Sequence, residues 1–202
     1  MNGAMSVVDA IAVRQLGLTR YGDVLQDMRA FTRSVHSTEE IWLTEHEPVY
    51  TLGQGAADRK VANGIPVVRS DRGGDITYHG PGQIVLYALV DLARRGIKVK
   101  RYVWLLEQTV IDLVGGERRP GAPGVYVDGA KIAALGIRVV RGRAYHGLAL
   151  NVDMDLAPFA AIDPCGYPGL QVTQTRDLGI AEGREILGAR LAGILARRLE
   201  GA

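Results

Sequence analysis

The chain has 202 residues, 47% of them hydrophobic and 23% charged, and a formal net charge of +2. That is the composition of a soluble globular protein with one sizeable core, and a single catalytic domain over residues 1–202 is expected. One cysteine rules out an internal disulfide, no His/Cys spacing suits a metal, and no apolar run approaches the roughly 18 residues of a membrane span.

The segment Met1 to Arg14 lacks the basic start and unbroken apolar stretch of a signal peptide, because Asp9 interrupts it. A cytoplasmic location is therefore expected. Asp9 to Arg14 has strand character. Asp23 to Val35 places Val24, Leu25, Met28, Phe31 and Val35 on one helical face. Glu40 to Thr44 and Val49 to Leu52 read as strands joined at Glu47-Pro48, and Ile65 to Val68 as another short strand. A Gly-rich stretch, Arg72 to Gln83, leads into a buried strand, Ile84 to Leu92. Tyr102 to Val114 fits a helix ended by Gly115-Gly116. Val125 to Val127 runs into Asp128-Gly129, a strong hairpin signal, and returns as Ala130 to Val140. A second turn at Arg141-Gly142-Arg143 leads to the strand Ala144 to Val152. Pro164 to Pro168 is a turn-rich loop, and Arg184 to Leu199 an amphipathic helix. The order is α+β, with strands in antiparallel runs rather than alternating βαβ units, and neither a Walker loop nor a dinucleotide fingerprint is present.

Three places carry chemistry. In Arg72-Gly73-Gly74-Asp75-Ile76-Thr77-Tyr78-His79, glycine lets backbone N–H groups approach a ligand that the polar side chains then fix. Lys131 enters an apolar strand just after a turn, where an amine can stand at the rim of a pocket. Cys165 lies between Pro164 and Gly166, in a bent loop that can present a thiol. A free thiol is only a few per cent ionised near neutral pH, and a nearby ammonium favours the nucleophilic thiolate. Lys131 would then serve as acid or base in both halves of an acyl transfer, with backbone N–H groups stabilising the oxyanion. The basic clusters Arg94-Arg95, Lys98 to Arg101, Arg118-Arg119 and Arg138 to Arg143 are either solvated surface or a dock for an acidic partner. At 6% aromatic residues without a stacking pattern, single-stranded nucleic acid is disfavoured.

The run RGGDITYHGPGQIVLYALVDL (Arg72 to Leu92) resembles the signature of the octanoyltransferases of lipoic acid synthesis. The runs APGVYVDGAKIAALGIRV (Ala122 to Val139), YHGLALNVDMDL (Tyr145 to Leu156) and IDPCGYPGL (Ile162 to Leu170) are similar to that family's later motifs, in the same order. The resemblance implies the fold of the biotin/lipoate protein ligases: α+β, a mixed and mostly antiparallel sheet flanked by helices. It implies transfer of an octanoyl group from octanoyl-acyl carrier protein, through a thioester on Cys165, to a lysine of a lipoyl domain. The acceptors would be 2-oxoacid dehydrogenase E2 subunits and the glycine-cleavage H protein. Lys131 would lower the thiol pKa. Substrate contacts would fall on Arg72 to His79, on Ala134, Leu135 and Gly136, and on Gly147, Leu148 and Ala149. No cofactor, metal, nucleic acid or membrane is implied, and a monomer is expected. Leu135, Ile137, Leu148 and Leu150 are candidates for the walls of an acyl tunnel. The stretch Val114 to Gly121 is shorter than the family's usual connection. The rival readings are an ATP-dependent lipoate or biotin ligase, a cysteine thioesterase using His79 or His146, and a non-catalytic acyl-carrier-binding module.

Overall fold

The computed structural model describes residues 11–34, 38–58, 60–162 and 169–202. Cys165 and the loop expected at Pro164 to Pro168 lie outside the described residues, as do Asp9 and Val35. The strands are β1 (Ala12–Thr19), β2 (Glu40–His46), β3 (Val49–Leu52), β4 (Val67–Arg69), β5 (Ile76–His79), β6 (Gln83–Asp91), β7 (Glu117–Arg119), β8 (Ala122–Val127), β9 (Ala130–Val140) and β10 (Arg143–Asn151). The helices are α1 (Tyr21–Arg33), α2 (Leu92–Arg95), α3 (Val99–Val114) and α4 (Arg184–Glu200).

A seven-stranded sheet runs β1-β2-β6-β10-β9-β8-β7, and a three-stranded sheet runs β4-β3-β5. The apolar run of β6 is continuous because both faces of its strand are covered. Ile84, Leu86, Ala88 and Val90 face α3 and α4, meeting Tyr102, Leu105, Leu106, Leu187, Leu191 and Leu195. Val85, Tyr87 and Leu89 point the other way, to Tyr21, Val24, Leu25 and Met28 of α1. The small sheet encloses a third cluster that includes Tyr50, Leu52, Ile76, Tyr78 and Phe159. Both expected hairpin turns have the positive φ values that match strand twist: 47° and 87° at Asp128-Gly129, 51° and 81° at Arg141-Gly142.

The first strand runs on to Thr19 rather than ending at Arg14, β5 forms inside the stretch read as Gly-rich, and two features of the topology also depart from the sequence reading. β1 and β2 pair in parallel, with α1 as the crossover, so the chain does open on one βαβ unit. The short Val114 to Gly121 connection contains an edge strand, β7, antiparallel to β8. Charged residues such as Arg118 and Arg119 give no apolar alternation, yet charge is what protects an exposed sheet edge.

The Arg94-Arg95 cluster is structural. Arg95 grips the Glu39 carboxylate through Nε (2.9 Å) and Nη2 (2.6 Å), and its Nη1 donates to the Leu199 carbonyl at 2.6 Å. Both side chains are buried, with exposures of 11% and 5%. Removing one partner strands the other charge in the interior, so Glu39→Ala is expected to cost about 3 kcal/mol or more, read as a lower urea midpoint.

Candidate active site

β6, β10, β9 and β5 line an open cavity flanked by Tyr21 of α1. On its floor position 147 admits only glycine: a Cβ there would stand 2.2 Å from the Leu86 carbonyl oxygen of β6. Leu148 and Ala149 follow on β10, and Ala134, Leu135 and Gly136 come from β9. Val85 and Tyr87 complete the apolar part. Mostly apolar walls with a few polar groups are the lining that suits a small organic ligand.

The polar wall comes from the segment after β4. Arg72 is buried and its guanidinium is fixed on Thr51, with Nη2 2.6 Å from the carbonyl and Nε 3.1 Å from Oγ1. The segment is stitched on both sides: Gly73 N donates to Ile137 O at 2.9 Å, and Gly55 N to Gly74 O at 3.0 Å. Arg72, Gly74, Thr77 and His79 line the cavity. Gly73 instead lines a neighbouring hollow. Asp75 caps its own strand, accepting from Ile76 N at 2.7 Å, while Ile76 and Tyr78 pack into the third core cluster. Leu135 and Leu148 line the cavity, Ile137 lines the neighbouring hollow, and Leu150 does neither, because it is fully buried in the main core.

The imidazoles here are neutral near pH 7. Burial pushes His46 down to about 4 and His79, which is also beside His46, down to about 3. His79 Nδ1–H donates to Gln83 Oε1 at 2.7 Å, which leaves Nε2 as an acceptor. The Tyr87 hydroxyl donates to His46 Nε2 at 2.6 Å, and Tyr21 stacks on His79 at 6.0 Å. His146 holds a left-handed φ of 64°, which is costly for a non-glycine residue in a strand and is seen where surroundings over-determine a site. What fixes it is Asp71, which accepts from His146 Nε2 at 2.8 Å, Tyr145 Oη at 2.7 Å and Arg29 Nε at 2.8 Å. Burial would raise the Asp71 pKa, but those donors outweigh it and hold the carboxyl well below its usual range. Burial also lowers the pKa of His146, against the pull of Asp71.

Lys131 stands at the other end. A second open hollow shares Gly74, Leu135 and Gly136 with the first cavity and reaches Ala122 and Pro123. The Lys131 amine donates to the Pro123 carbonyl at 3.2 Å and lies 5.2 Å from the Tyr126 ring centroid. Only 3% of the residue is exposed. A register shift in the β8–β9 ladder, between Val125 and Tyr126, re-aims the strand just there. The Lys131 backbone is held too: its N–H donates to Gln171 O at 2.8 Å, and its carbonyl accepts from Thr173 N at 3.0 Å. Asn151 Nδ2 donates to Thr173 O at 2.9 Å, and Gln83 Nε2 to Asn151 Oδ1 at 2.9 Å. Side-chain and backbone hydrogen bonds thus connect His79 to the strand that carries Lys131. Sequence reasoning missed Tyr21, Val85, Tyr87 and Asp71, since a tyrosine in an apolar run and a lone aspartate carry no local signal.

Among the described residues, no group of three or more His, Cys, Asp or Glu side chains could hold a metal ion, and no helix is long and apolar enough to cross a membrane. Residues 23–181 match the lipoyl protein ligase A/B catalytic domain. The chain belongs to that family. It is an acyltransferase of the lipoylation-related kind. It is 56% identical to the octanoyltransferase of Aromatoleum aromaticum over 94% of this chain and 86% of the relative. With the octanoyltransferase of Thiobacillus denitrificans it shares 56% identity over 89% of this chain and 90% of the relative. Among solved structures, a lipoate-protein ligase A bound with ATP superposes with a TM-score of 0.72 at 16% identity, covering 94% of this chain and 85% of that one. A biotin protein ligase from Aquifex aeolicus in complex with biotin and ATP gives 0.56 at 9% identity, covering 94% and 70%. At those identities the likeness establishes the fold: the family's catalytic sheet with its flanking helices.

The neutral histidines set a pH dependence. Unfolded imidazoles have pKa values near 6.5, so below that pH the unfolded chain binds more protons than the folded one. Stability is therefore expected to fall as pH drops through 6.5, continuing to about 4 for His46 and about 3 for His79. The slope is on the order of 1 kcal/mol per pH unit for each histidine. Melting temperatures measured from neutral to mildly acidic buffers should decline steeply, and the decline should shrink in His46→Asn.

Proposed function

We propose that this family member moves an octanoyl group from octanoyl-acyl carrier protein to a lysine of a lipoyl domain, through a thioester on Cys165 assisted by Lys131. The observation that carries this reading is the fixed, buried amine of Lys131, held on the carbonyl of Pro123, a residue that lines a hollow sharing Gly74, Leu135 and Gly136 with the apolar cavity. The octanoyl chain occupies that cavity, between Leu135, Leu148 and Tyr87. Arg72 and the Gly-rich segment fix its polar end. Gln171 to Thr173, a few residues beyond Cys165 in sequence, pair with the Lys131 backbone, which supports a working relation between the two.

The steps follow from the groups. The Cys165 thiol gives its proton to the Lys131 amine. The thiolate attacks the donor thioester carbonyl, the tetrahedral oxyanion collapses, and the carrier thiolate leaves, taking its proton from the ammonium. In the second half, the acceptor lysine amine attacks the acyl-enzyme and gives up a proton to the neutral Lys131 amine, and the Cys165 thiolate leaves and takes that proton back from the ammonium. Thioester to amide is downhill, so no nucleotide is consumed. The acceptors are lipoyl domains of 2-oxoacid dehydrogenase E2 subunits and the glycine-cleavage H protein. Relatives at 56% identity carry the name octanoyltransferase, which favours this over the ligase reading.

The test is transfer from octanoyl-acyl carrier protein to apo lipoyl domain without ATP. Cys165→Ser is expected to abolish it, and Lys131→Ala to slow acylation about 10²- to 10⁴-fold in single turnover. Near-normal rates in Lys131→Ala would remove the lysine from the mechanism, and a requirement for ATP would overturn the transferase reading.

A further inference from the structure

Glu107 is a buried carboxylate on α3, 8% exposed, with no part in the steps above. It accepts a hydrogen bond from Gly124 N at 3.1 Å. Gly124 N and Pro123 O belong to one peptide unit, and that oxygen accepts from the Lys131 amine at 3.2 Å. The peptide is therefore clamped: amine on its carbonyl side, carboxylate on its N–H side. In a trans peptide those two groups point in opposite directions, so one planar unit separates the two ionisable side chains.

We propose that Glu107 is a positioning residue for Lys131, holding the amine and favouring its ammonium form through the Pro123–Gly124 peptide. This rests on the reading of Lys131 as the partner of the Cys165 thiol.

The physical reasons are two. A carboxylate on the N–H polarises the peptide, so its carbonyl oxygen becomes a better acceptor for a cation; hydrogen-bond chains strengthen in this way, most of all where water is excluded. The negative charge also acts on the amine directly, and opposite charges at short range favour each other's ionised forms. The contact requires glycine at 124, where φ is 134° and a Cβ would lie 2.6 Å from the Ala133 carbonyl oxygen and 3.4 Å from Lys131 Nζ. Burial raises the Glu107 pKa, while the Gly124 N–H, Arg118 from β7 and Lys131 itself pull it the other way, toward the ionised form. From β8 the Tyr126 ring lies 5.2 Å from the Lys131 amine, and Arg119 stacks on that ring at 4.4 Å. From the segment that pairs with Lys131, Gln171, Val172 and Thr173 bring no charge. On α4, Arg198 is engaged by Asp112.

The test uses the chain's one cysteine as a reporter. The rate of Cys165 alkylation by iodoacetamide is measured against pH in wild type, Glu107→Gln, Lys131→Ala and the double variant, with melting temperatures alongside. Glu107→Gln keeps an acceptor for Gly124 N but removes the charge. Its alkylation midpoint is expected to rise by about one pH unit, making alkylation about tenfold slower on the rising limb, while the melting temperature stays near wild type. Lys131→Ala is expected to raise the midpoint further, and adding Glu107→Gln to it should change nothing more. If Lys131→Ala raises the midpoint but Glu107→Gln leaves it at the wild-type value, the role of Glu107 is overturned and the dyad stands. If neither moves it, the dyad reading fails and takes this one with it. Should Glu107→Gln not fold, wild-type protein labelled at lysine Nζ decides the matter. The Lys131 signal, assigned with Lys131→Arg, is expected to show a second inflection as Glu107 titrates, and a single inflection would overturn the proposal.

Discussion

An amine withdrawn from water needs acceptors, and Lys131 finds one in the Pro123 carbonyl. Much of the surrounding architecture meets that need. The β8–β9 register shift turns the strand at the right residue, Gly124 leaves room beside the amine, and Gln171 to Thr173 fix the lysine backbone from the side opposite β8. A lysine on a flexible stem is ordinarily a mobile surface charge, with much rotamer freedom to lose on fixing. Here the loss is taken during folding, so the amine is already in place before any ligand arrives.

The apolar cavity depends on a second constraint, the removal of charge from most of its walls. Its two lining histidines, His79 and His146, are neutral and held by Gln83 and Asp71, and His46, which touches His79, is held by Tyr87. Neutral rings in a close-packed wall present an apolar surface to an alkyl chain while keeping acceptor nitrogens. The fixed positive charge of Arg72 is the exception, and it stands where the polar end of a substrate would lie. The arrangement costs stability in acid, because each buried imidazole must be protonated outside the fold.

How much of this could be read from the sequence depended on whether a signal was local. The Asp128-Gly129 hairpin, the doubly buried run of β6 and the face of α4 follow from turn chemistry and periodicity, and the structure places them within a residue or two of expectation. The Gly-rich segment was marked by composition, and its cavity-lining members by family motif. The parallel pairing of β1 with β2 was hidden, since strand direction is set by the α1 crossover and not by either strand. β7 was hidden because Glu117, Arg118 and Arg119 look like a loop. Glu107 reads as one more polar residue on a helix, and Asp71 as one more turn residue. Each gains meaning from partners 17 and 75 positions away, Gly124 and His146. Arg95 shows the converse: in a basic pair that reads as either solvated surface or a docking patch, it is engaged by Glu39 and the end of α4.

The measurement that bears most directly on the account is intact-protein mass spectrometry after mixing the chain with octanoyl-acyl carrier protein, followed by apo lipoyl domain. The account expects one octanoyl group on the chain, mapped to Cys165 and released by hydroxylamine, which then disappears as the lipoyl domain gains the same mass. Octanoylated lipoyl domain formed at full rate by Cys165→Ser, with no octanoyl adduct on the chain at any time, would contradict it.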